Sequence, residues 1–158
     1  MDKENILMRI QDCGIVAVVR AESADKAERI VDACMEGGVA AIELTFSVPH
    51  ADRVIETLSY KYDPKDIILG AGTVMDAATA RIAMLSGAQY IVSPYLDLET
   101  LKMCNRYRVP MMPGVMSVRE AVTAMENGAD ILKIFPGDLF GPKIIKDILG
   151  PIPYAKMM

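Results

Sequence analysis

One lysine stands in an apolar segment where a charged side chain is unexpected. Lys133 lies within Ile131-Leu132-Lys133-Ile134-Phe135-Pro136, and strand alternation places it on the same face as Ile131 and Phe135. Burial disfavours the charged ammonium form and favours the neutral amine, which can attack a ketone to form a Schiff base. The pattern therefore indicates a nucleophilic lysine. The alternatives are a lysine that snorkels from a strand end and one half of a structural ion pair.

A carboxylate occupies a comparable place in an earlier apolar segment. Alternation over residues 40–46 puts large apolar side chains on one face and Glu43, with Ala41 and Thr45, on the other. Because the larger apolar face should meet helices, Glu43 is predicted to point inward, where an unpaired carboxylate is costly. Lys133 is the candidate partner, since Schiff-base chemistry needs a proton-transfer group beside the amine. A fixed buried pair without turnover is the alternative.

Other candidate residues lie at the ends of predicted strands. The segment Gly70-Ala71-Gly72-Thr73 is predicted to let the backbone approach a ligand and to offer the Thr73 hydroxyl. It lacks the third glycine and the later acidic residue of a dinucleotide-binding fingerprint. Arg20 is a candidate anion-binding residue, although an arginine at a strand end is commonly solvated. Ser93-Pro94 and Pro113-Gly114 are typical of turns.

These residues belong to a repeating pattern of short apolar runs and amphipathic stretches. The runs start at intervals of 20 to 27 residues, which fits one strand, one helix and two short loops. Glycines at Gly37-Gly38, Gly87 and Gly128 are predicted to end the intervening helices. The predicted strands are Ile15–Arg20, Ala40–Phe46, Ile67–Thr73, Tyr90–Pro94, Pro110–Val115 and Ile131–Pro136.

The repeat predicts an α/β fold built on a parallel sheet. Several runs show little alternation, as expected for strands covered on both faces. An open doubly wound sheet and a closed barrel both fit, and functional residues at several strand ends favour the (β/α)8 TIM-type barrel. Gly141–Leu149 is predicted as the sixth following helix and Ala155–Met158 as the start of a seventh strand. We therefore expect residues 1–158 to form one barrel domain of about six and a half units, lacking its C-terminal part.

Composition argues against several classes of function. The net charge of −4 and the pI near 5.0 give no basic footprint for nucleic acid. The charged N-terminus, and the lack of any run near the ~18 apolar residues of a membrane span, predict a soluble cytoplasmic protein without a membrane partner. A single histidine, His50, disfavours an imidazole metal site, and the three dispersed cysteines are interpreted as reduced packing residues. We expect no metal and no cofactor.

With Glu43, Gly70-Ala71-Gly72-Thr73, Ser93-Pro94, Pro113-Gly114 and Lys133-Ile134-Phe135-Pro136 in this order, the chain resembles the 2-keto-3-deoxy-6-phosphogluconate (KDPG) aldolase family. The resemblance covers essentially the whole chain. It implies an eight-unit barrel, a homotrimer, and metal-free cleavage of KDPG to pyruvate and glyceraldehyde 3-phosphate. Many members also act on 4-hydroxy-2-oxoglutarate (KHG), which yields pyruvate and glyoxylate.

The resemblance also implies roles for individual residues. Lys133 matches the Schiff-base lysine and Glu43 the general acid/base, while Thr73 matches a residue that binds the pyruvate carboxylate. Gly72 and Ser93, as neighbours at the strand ends, are candidate substrate-binding residues.

Pro94 and Phe135 would shape the pocket. Some members carry an arginine four residues after the glutamate for an anionic substrate group, where this chain has Ser47, and Arg20 is the candidate replacement. The phosphate-binding part of the family's site follows the position of Met158.

The leading hypothesis is therefore a class I aldolase that acts on a small 2-keto acid. One alternative is a phosphate-binding barrel isomerase or epimerase, in which Glu43 is the proton-transfer base and Lys133 only polarises a carbonyl. Another is an inactive fragment or assembly module with an open barrel.

Overall fold

A parallel sheet with a helix between most strands organises the chain. The structure is a computed structural model that describes residues 2–158. Within this range the strands are β1 (Ala17–Val19), β2 (Ala41–Thr45), β3 (Ile68–Gly72), β4 (Tyr90–Val92), β5 (Met111–Met112), β6 (Gly114–Val115) and β7 (Lys133–Ile134). The helices are α1 (Lys3–Cys13), α2 (Ala24–Glu36), α3 (Ala51–Lys61), α4 (Ala77–Leu85), α5 (Leu98–Arg106), α6 (Val118–Glu126), α7 (Gly137–Phe140) and α8 (Lys143–Leu149).

The strand order confirms a TIM-type arrangement. Strands β1 to β5 pair in parallel and in chain order, and β6 pairs in parallel with β7. Because every strand runs in the same direction, all carboxyl ends of the strands lie at one end of the barrel. In barrels of this type that end carries the functional residues.

The predicted fifth strand, Pro110–Val115, is wrong as a single strand. It divides at Pro113 into β5, which pairs with β4, and β6, which pairs with β7. Proline has no N–H to donate to a ladder, so continuous pairing stops there. The Pro113 carbonyl still accepts a hydrogen bond from the Lys133 N–H, at 2.9 Å.

The last residues confirm the predicted start of a seventh strand. Met157 forms a parallel bridge with Leu132, and the Met158 carbonyl accepts from the Ile134 N–H at 2.9 Å. The preceding helix is shorter than the predicted Gly141–Leu149, because α7 and Pro142 come before α8.

The N-terminal helix α1 closes the amino end of the barrel, a feature absent from the sequence predictions. Ile6 and Ile10 are buried in one cluster with inward-facing side chains of five strand segments: Ala41, Ile68, Tyr90, Val92, Met112 and Ile131. Lys3 pairs with Asp130 at 2.6 Å, and Arg108 pairs with Glu4 at 2.6 Å. The helix therefore forms an apolar floor beneath the interior.

A second and larger cluster lies between the strands and the surrounding helices. Its strand residues include Ile42, Leu44, Leu69 and Ile91, all fully or almost fully buried. This confirms the predicted outward direction of Ile42 and Leu44. Because burial of apolar area contributes about 25 cal/mol per Å², this layer stabilises the packing of the strands against the helices.

The ends of the helices follow recognisable signals. Ser23, Asp76, Asp97 and Ser117 each accept a hydrogen bond from the backbone N–H three residues later. The predicted helix-ending glycines Gly38, Gly87 and Gly128 have φ angles of 84°, 107° and 92°. In the described part of the chain, no helix has the length and apolar character needed to cross a membrane.

The thiol of Cys104 should be unreactive towards thiol reagents in the folded protein. Its side chain is completely buried, and burial raises the pKa of its thiol to about 12, so little reactive thiolate is present near neutral pH. Cys13 and Cys34 are partly exposed. With a chromogenic disulfide reagent, we expect two fast-reacting thiols in the native protein and a third only after denaturation.

Matched alanine variants assign those thiols. Cys104→Ala should leave the native count unchanged, whereas Cys34→Ala should lower it by one. Rapid native reaction of all three thiols would contradict the packing around Cys104.

Candidate functional site

The site is built on an ion pair between Lys133 and Glu43 inside the barrel. The Lys133 Nζ lies 3.2 Å from Glu43 Oε1 and 3.4 Å from Oε2. The Glu43 side chain is 1% exposed and that of Lys133 is 16% exposed. The amine therefore sits at the border between the buried carboxylate and the opening of the barrel.

Strand alternation brings these two residues together from different sheets. Glu43 lies in the middle of β2 and Lys133 begins β7, so their side chains meet across the interior. The inward direction of Glu43 was predicted from the large apolar residues on the opposite face of its strand, and the burial of Lys133 from the apolar face that it shares with Ile131 and Phe135. The predicted pairing of Lys133 with Glu43 is present in the structure.

The Gly70 and Gly72 positions make room for side chains. A Cβ added at Gly72 would lie 2.1 Å from Glu43 Oε1 and 2.5 Å from its Cγ. A Cβ at Gly70 would lie 2.3 Å from Cζ of Tyr90. The space that a Cβ would take at each glycine is filled by Glu43 or Tyr90, so the glycines first of all accommodate these two side chains. The approach of a ligand to this segment stays a prediction.

Thr73 follows β3 in an uncommon backbone conformation. Its φ is 57°, in the left-handed region that a β-branched residue rarely adopts. The side chain is half-buried, and its hydroxyl makes no hydrogen bond to any group within residues 2–158. The hydroxyl thus remains available at the carboxyl end of the barrel.

Ser93 and Pro94 end β4 at the same level. Ser93 is 1% exposed and its hydroxyl accepts from the Tyr95 N–H at 3.4 Å. Pro94 is half-buried and packs closely on β6, since a Cβ at Gly114 would lie 2.2 Å from the Pro94 carbonyl oxygen. The chain bends at Pro94, as expected for Ser93-Pro94, whereas the turn interpretation of Pro113-Gly114 is wrong, because Gly114 begins β6 and pairs with Lys133.

Phe135 and Arg20 lie nearer to solvent. Phe135 is 38% exposed, and the centroid of its ring lies 5.7 Å from the Lys133 Nζ. Arg20 follows β1, is exposed, and makes no hydrogen bond or ion pair within residues 2–158. The structure thus brings Phe135 to the lysine but leaves Arg20 at the rim, without contact to the Lys133–Glu43 pair.

Two polar residues of the interior, Thr45 and Tyr90, were not among the predicted site residues. Thr45 is fully buried and its hydroxyl donates to the Val19 carbonyl at 3.1 Å, while the Ser47 hydroxyl lies 2.7 Å away. Tyr90 is fully buried and faces inward from β4. The alternation rule that placed Glu43 also places Tyr90 and Val92 on one face, so the inward direction of Tyr90 could have been predicted.

Within residues 2–158, no group of three or more histidine, cysteine or acidic side chains is arranged to hold a metal.

Replacing Gly72 by alanine should disturb the ion pair directly. The new methyl group would occupy the position of the Glu43 carboxylate, so the glutamate must move or the strands must separate. We expect Gly72→Ala to lower the free energy of unfolding by about 1–3 kcal/mol, measured by urea denaturation.

Two further variants test whether displacement of Glu43 causes the loss of stability in Gly72→Ala. Gly137→Ala is the matched control, because a Cβ there meets no atom within 4 Å and its stability should change little. The cost of Gly72→Ala should shrink when Glu43 is also alanine. An undiminished cost in that background would show that Glu43 is not the side chain displaced.

Comparisons with known proteins give consistent matches. A family model described as KDPG and KHG aldolase matches residues 6–158. The 2-dehydro-3-deoxy-phosphogluconate aldolase of Haemophilus influenzae is 30% identical over 156 residues, covering 98% of this chain and 73% of that protein. The 2-dehydro-3-deoxy-6-phosphogalactonate aldolase of Escherichia coli is 33% identical over 139 residues, covering 88% and 67%.

Solved structures show the same likeness. A KDPG aldolase from Legionella pneumophila, with pyruvate captured as a covalent carbinolamine intermediate, superposes with a TM-score of 0.83 and 28% identity, covering 90% of this chain and 68% of that one. The chain spans 67–73% of the length of the two curated relatives named above.

Proposed function

Because this chain belongs to the KDPG and KHG aldolase family, a family of lyases, we propose that it carries the catalytic centre of a class I aldolase. Its substrate is a small 2-keto acid that is cleaved through a Schiff base on Lys133. The observation that carries the proposal is the pairing of the Lys133 amine with the almost fully buried Glu43 carboxylate.

Schiff-base formation requires Lys133 to be a nucleophile and Glu43 to be its proton carrier. When the ammonium gives a proton to Glu43, the neutral amine attacks the C2 ketone and forms a carbinolamine. Glu43 returns a proton to the C2 hydroxyl, which leaves as water and yields the iminium. The partly exposed position of Lys133 lets substrate reach the amine, while the carboxylate stays in a dry environment.

Carbon–carbon cleavage uses the same two groups. Glu43 removes the proton of the C4 hydroxyl, the C3–C4 electron pair moves into the iminium, and an aldehyde leaves. The resulting enamine takes a proton at C3, and hydrolysis of the iminium releases pyruvate and the free amine. Glu43 acts alternately as base and acid, as an interior carboxylate beside a cation can do.

The surrounding strand ends supply the binding groups in this proposal. The Thr73 hydroxyl, which has no protein partner within residues 2–158, binds the pyruvate carboxylate, and the Phe135 ring and Pro94 form walls beside the amine. Ser93 and Gly72 contribute backbone and packing positions next to the site. Arg20, exposed at the rim, meets an anionic group at the far end of the substrate.

The proposals on the exact substrate, the oligomeric state and the location rest on the likeness to the KDPG and KHG aldolases. We propose KDPG as the substrate, with pyruvate and glyceraldehyde 3-phosphate as products, and KHG as a second substrate; the E. coli relative acts on the phosphogalactonate analogue. On the same family likeness we propose one aldolase barrel domain over residues 1–158, a homotrimer, and a cytoplasmic location.

Pyruvate and borohydride should label Lys133 covalently. Reduction of the iminium gives a stable secondary amine, which intact-mass measurement detects and peptide mapping locates. Lys133→Met should lose the label, while Lys102→Met should keep it, because Lys102 pairs with Glu99 on the exposed face of α5. Absence of labelling, or a label on another lysine, would remove the proposed mechanism.

Glu43→Gln should separate proton transfer from binding. In deuterated water the enzyme should exchange the methyl protons of pyruvate, since enamine formation removes one of them. NMR should show this rate falling about 10²- to 10⁴-fold in Glu43→Gln, the usual contribution of a general acid–base group. Glu99→Gln, from the same exposed pair on α5, should keep the normal rate. An unchanged exchange rate in Glu43→Gln would assign the proton transfer to another group.

A further inference from the structure

The Tyr90 hydroxyl is a buried polar group without a protein partner. The Tyr90 side chain is fully buried, and its hydroxyl makes no hydrogen bond to any group within residues 2–158. A buried hydroxyl in this state is uncommon and costs free energy relative to phenylalanine. Its presence in the interior therefore calls for a function.

Strand register aligns Tyr90 with Glu43. Gly70 in β3 pairs with Glu43 in β2 on one side and with Tyr90 in β4 on the other, so all three share a level of the inner face. The hydroxyl-bearing end of the Tyr90 ring lies over Gly70, because Cζ is the ring atom nearest to the position of a Cβ there. The Tyr90 ring thus reaches from β4 over β3, whose other neighbour is the strand that carries Glu43.

The Glu43 carboxylate occupies the next level of the same face. It lies over Gly72, one inward-facing position beyond Gly70. Burial raises the pKa of Tyr90 well above its ordinary value, and the negative charge of Glu43 raises it further. Tyr90 therefore remains a protonated hydrogen-bond donor beside an acceptor-only carboxylate.

We propose that Tyr90 is a positioning residue whose hydroxyl donates, through one enclosed water, to the Glu43 carboxylate. This inference rests on the proposed function. In the resting site Lys133 satisfies Glu43, but iminium formation converts the amine into a substituted cation with fewer protons to donate. A carboxylate that is 1% exposed then needs another donor, and Tyr90 supplies it through this water.

The test is Tyr90→Phe, which removes only the hydroxyl. Deuterium exchange into pyruvate should slow by about tenfold or more, the usual effect of losing a hydrogen bond to a charged group. The pyruvate concentration giving half-maximal exchange should change less than about twofold, because Tyr90 does not touch substrate. Tyr62→Phe is the matched control: it removes a hydroxyl bonded to Asp32 outside the interior and should leave exchange unchanged.

A double variant distinguishes positioning from packing. In a Glu43→Gln background, Tyr90→Phe should produce almost no further slowing, because the group it positions is already altered. An equal slowing in both backgrounds, or normal exchange with raised thermal stability in Tyr90→Phe, would overturn the inference. Failure of the unaltered protein to exchange or trap pyruvate would instead overturn the proposed function.

Discussion

The pairing of Lys133 with Glu43 is the constraint on which the interior depends. A carboxylate that is 1% exposed is tolerated only beside a partner, and removal of one member of a buried pair commonly costs about 3–5 kcal/mol. The pair also joins β2 to β7, which belong to different sheets. One contact therefore ties the position of the amine to the placement of the two sheets against each other, so the arrangement of the site depends on the fold.

The interior is apolar at the amino ends of the strands, above α1, and becomes polar towards their carboxyl ends. The inward-facing residues of β3 show this change. Its inward positions are Ile68, Gly70 and Gly72 in succession. Ile68 packs with α1 at the floor, the Tyr90 ring covers Gly70, and the Glu43 carboxylate covers Gly72. Large neighbours replace the missing side chains, which leaves Glu43 in a nearly dry environment. In such an environment, the charge of Lys133 acts on the carboxylate more strongly than it would in water.

The sequence predicted the pattern of the fold and the central pair, but not what fills the space around them. Alternation gives the direction of a side chain, so Glu43 and Lys133 could be placed inward and paired as opposite charges. It does not tell which neighbouring side chain covers a glycine, and so the packing of Tyr90 on Gly70 and of Glu43 on Gly72 was not predicted. The packing of α1 beneath the strands depends on contacts between residues far apart in sequence, such as Lys3 with Asp130. The break at Pro113 follows from a missing donor, a local rule that could have been applied.

Thr73 shows how the ladder itself can direct a functional group. A β-branched residue at a φ of 57° costs about 1–3 kcal/mol, so neighbouring contacts must hold it there. The Gly72 carbonyl accepts from the Phe46 N–H at 2.8 Å, and the Val74 N–H donates to the Val92 carbonyl at 3.1 Å. The chain is thus fixed to β2 on one side of Thr73 and to β4 on the other. Because the backbone sets the direction of the side chain, the hydroxyl is held without a protein hydrogen bond and keeps its capacity for a ligand.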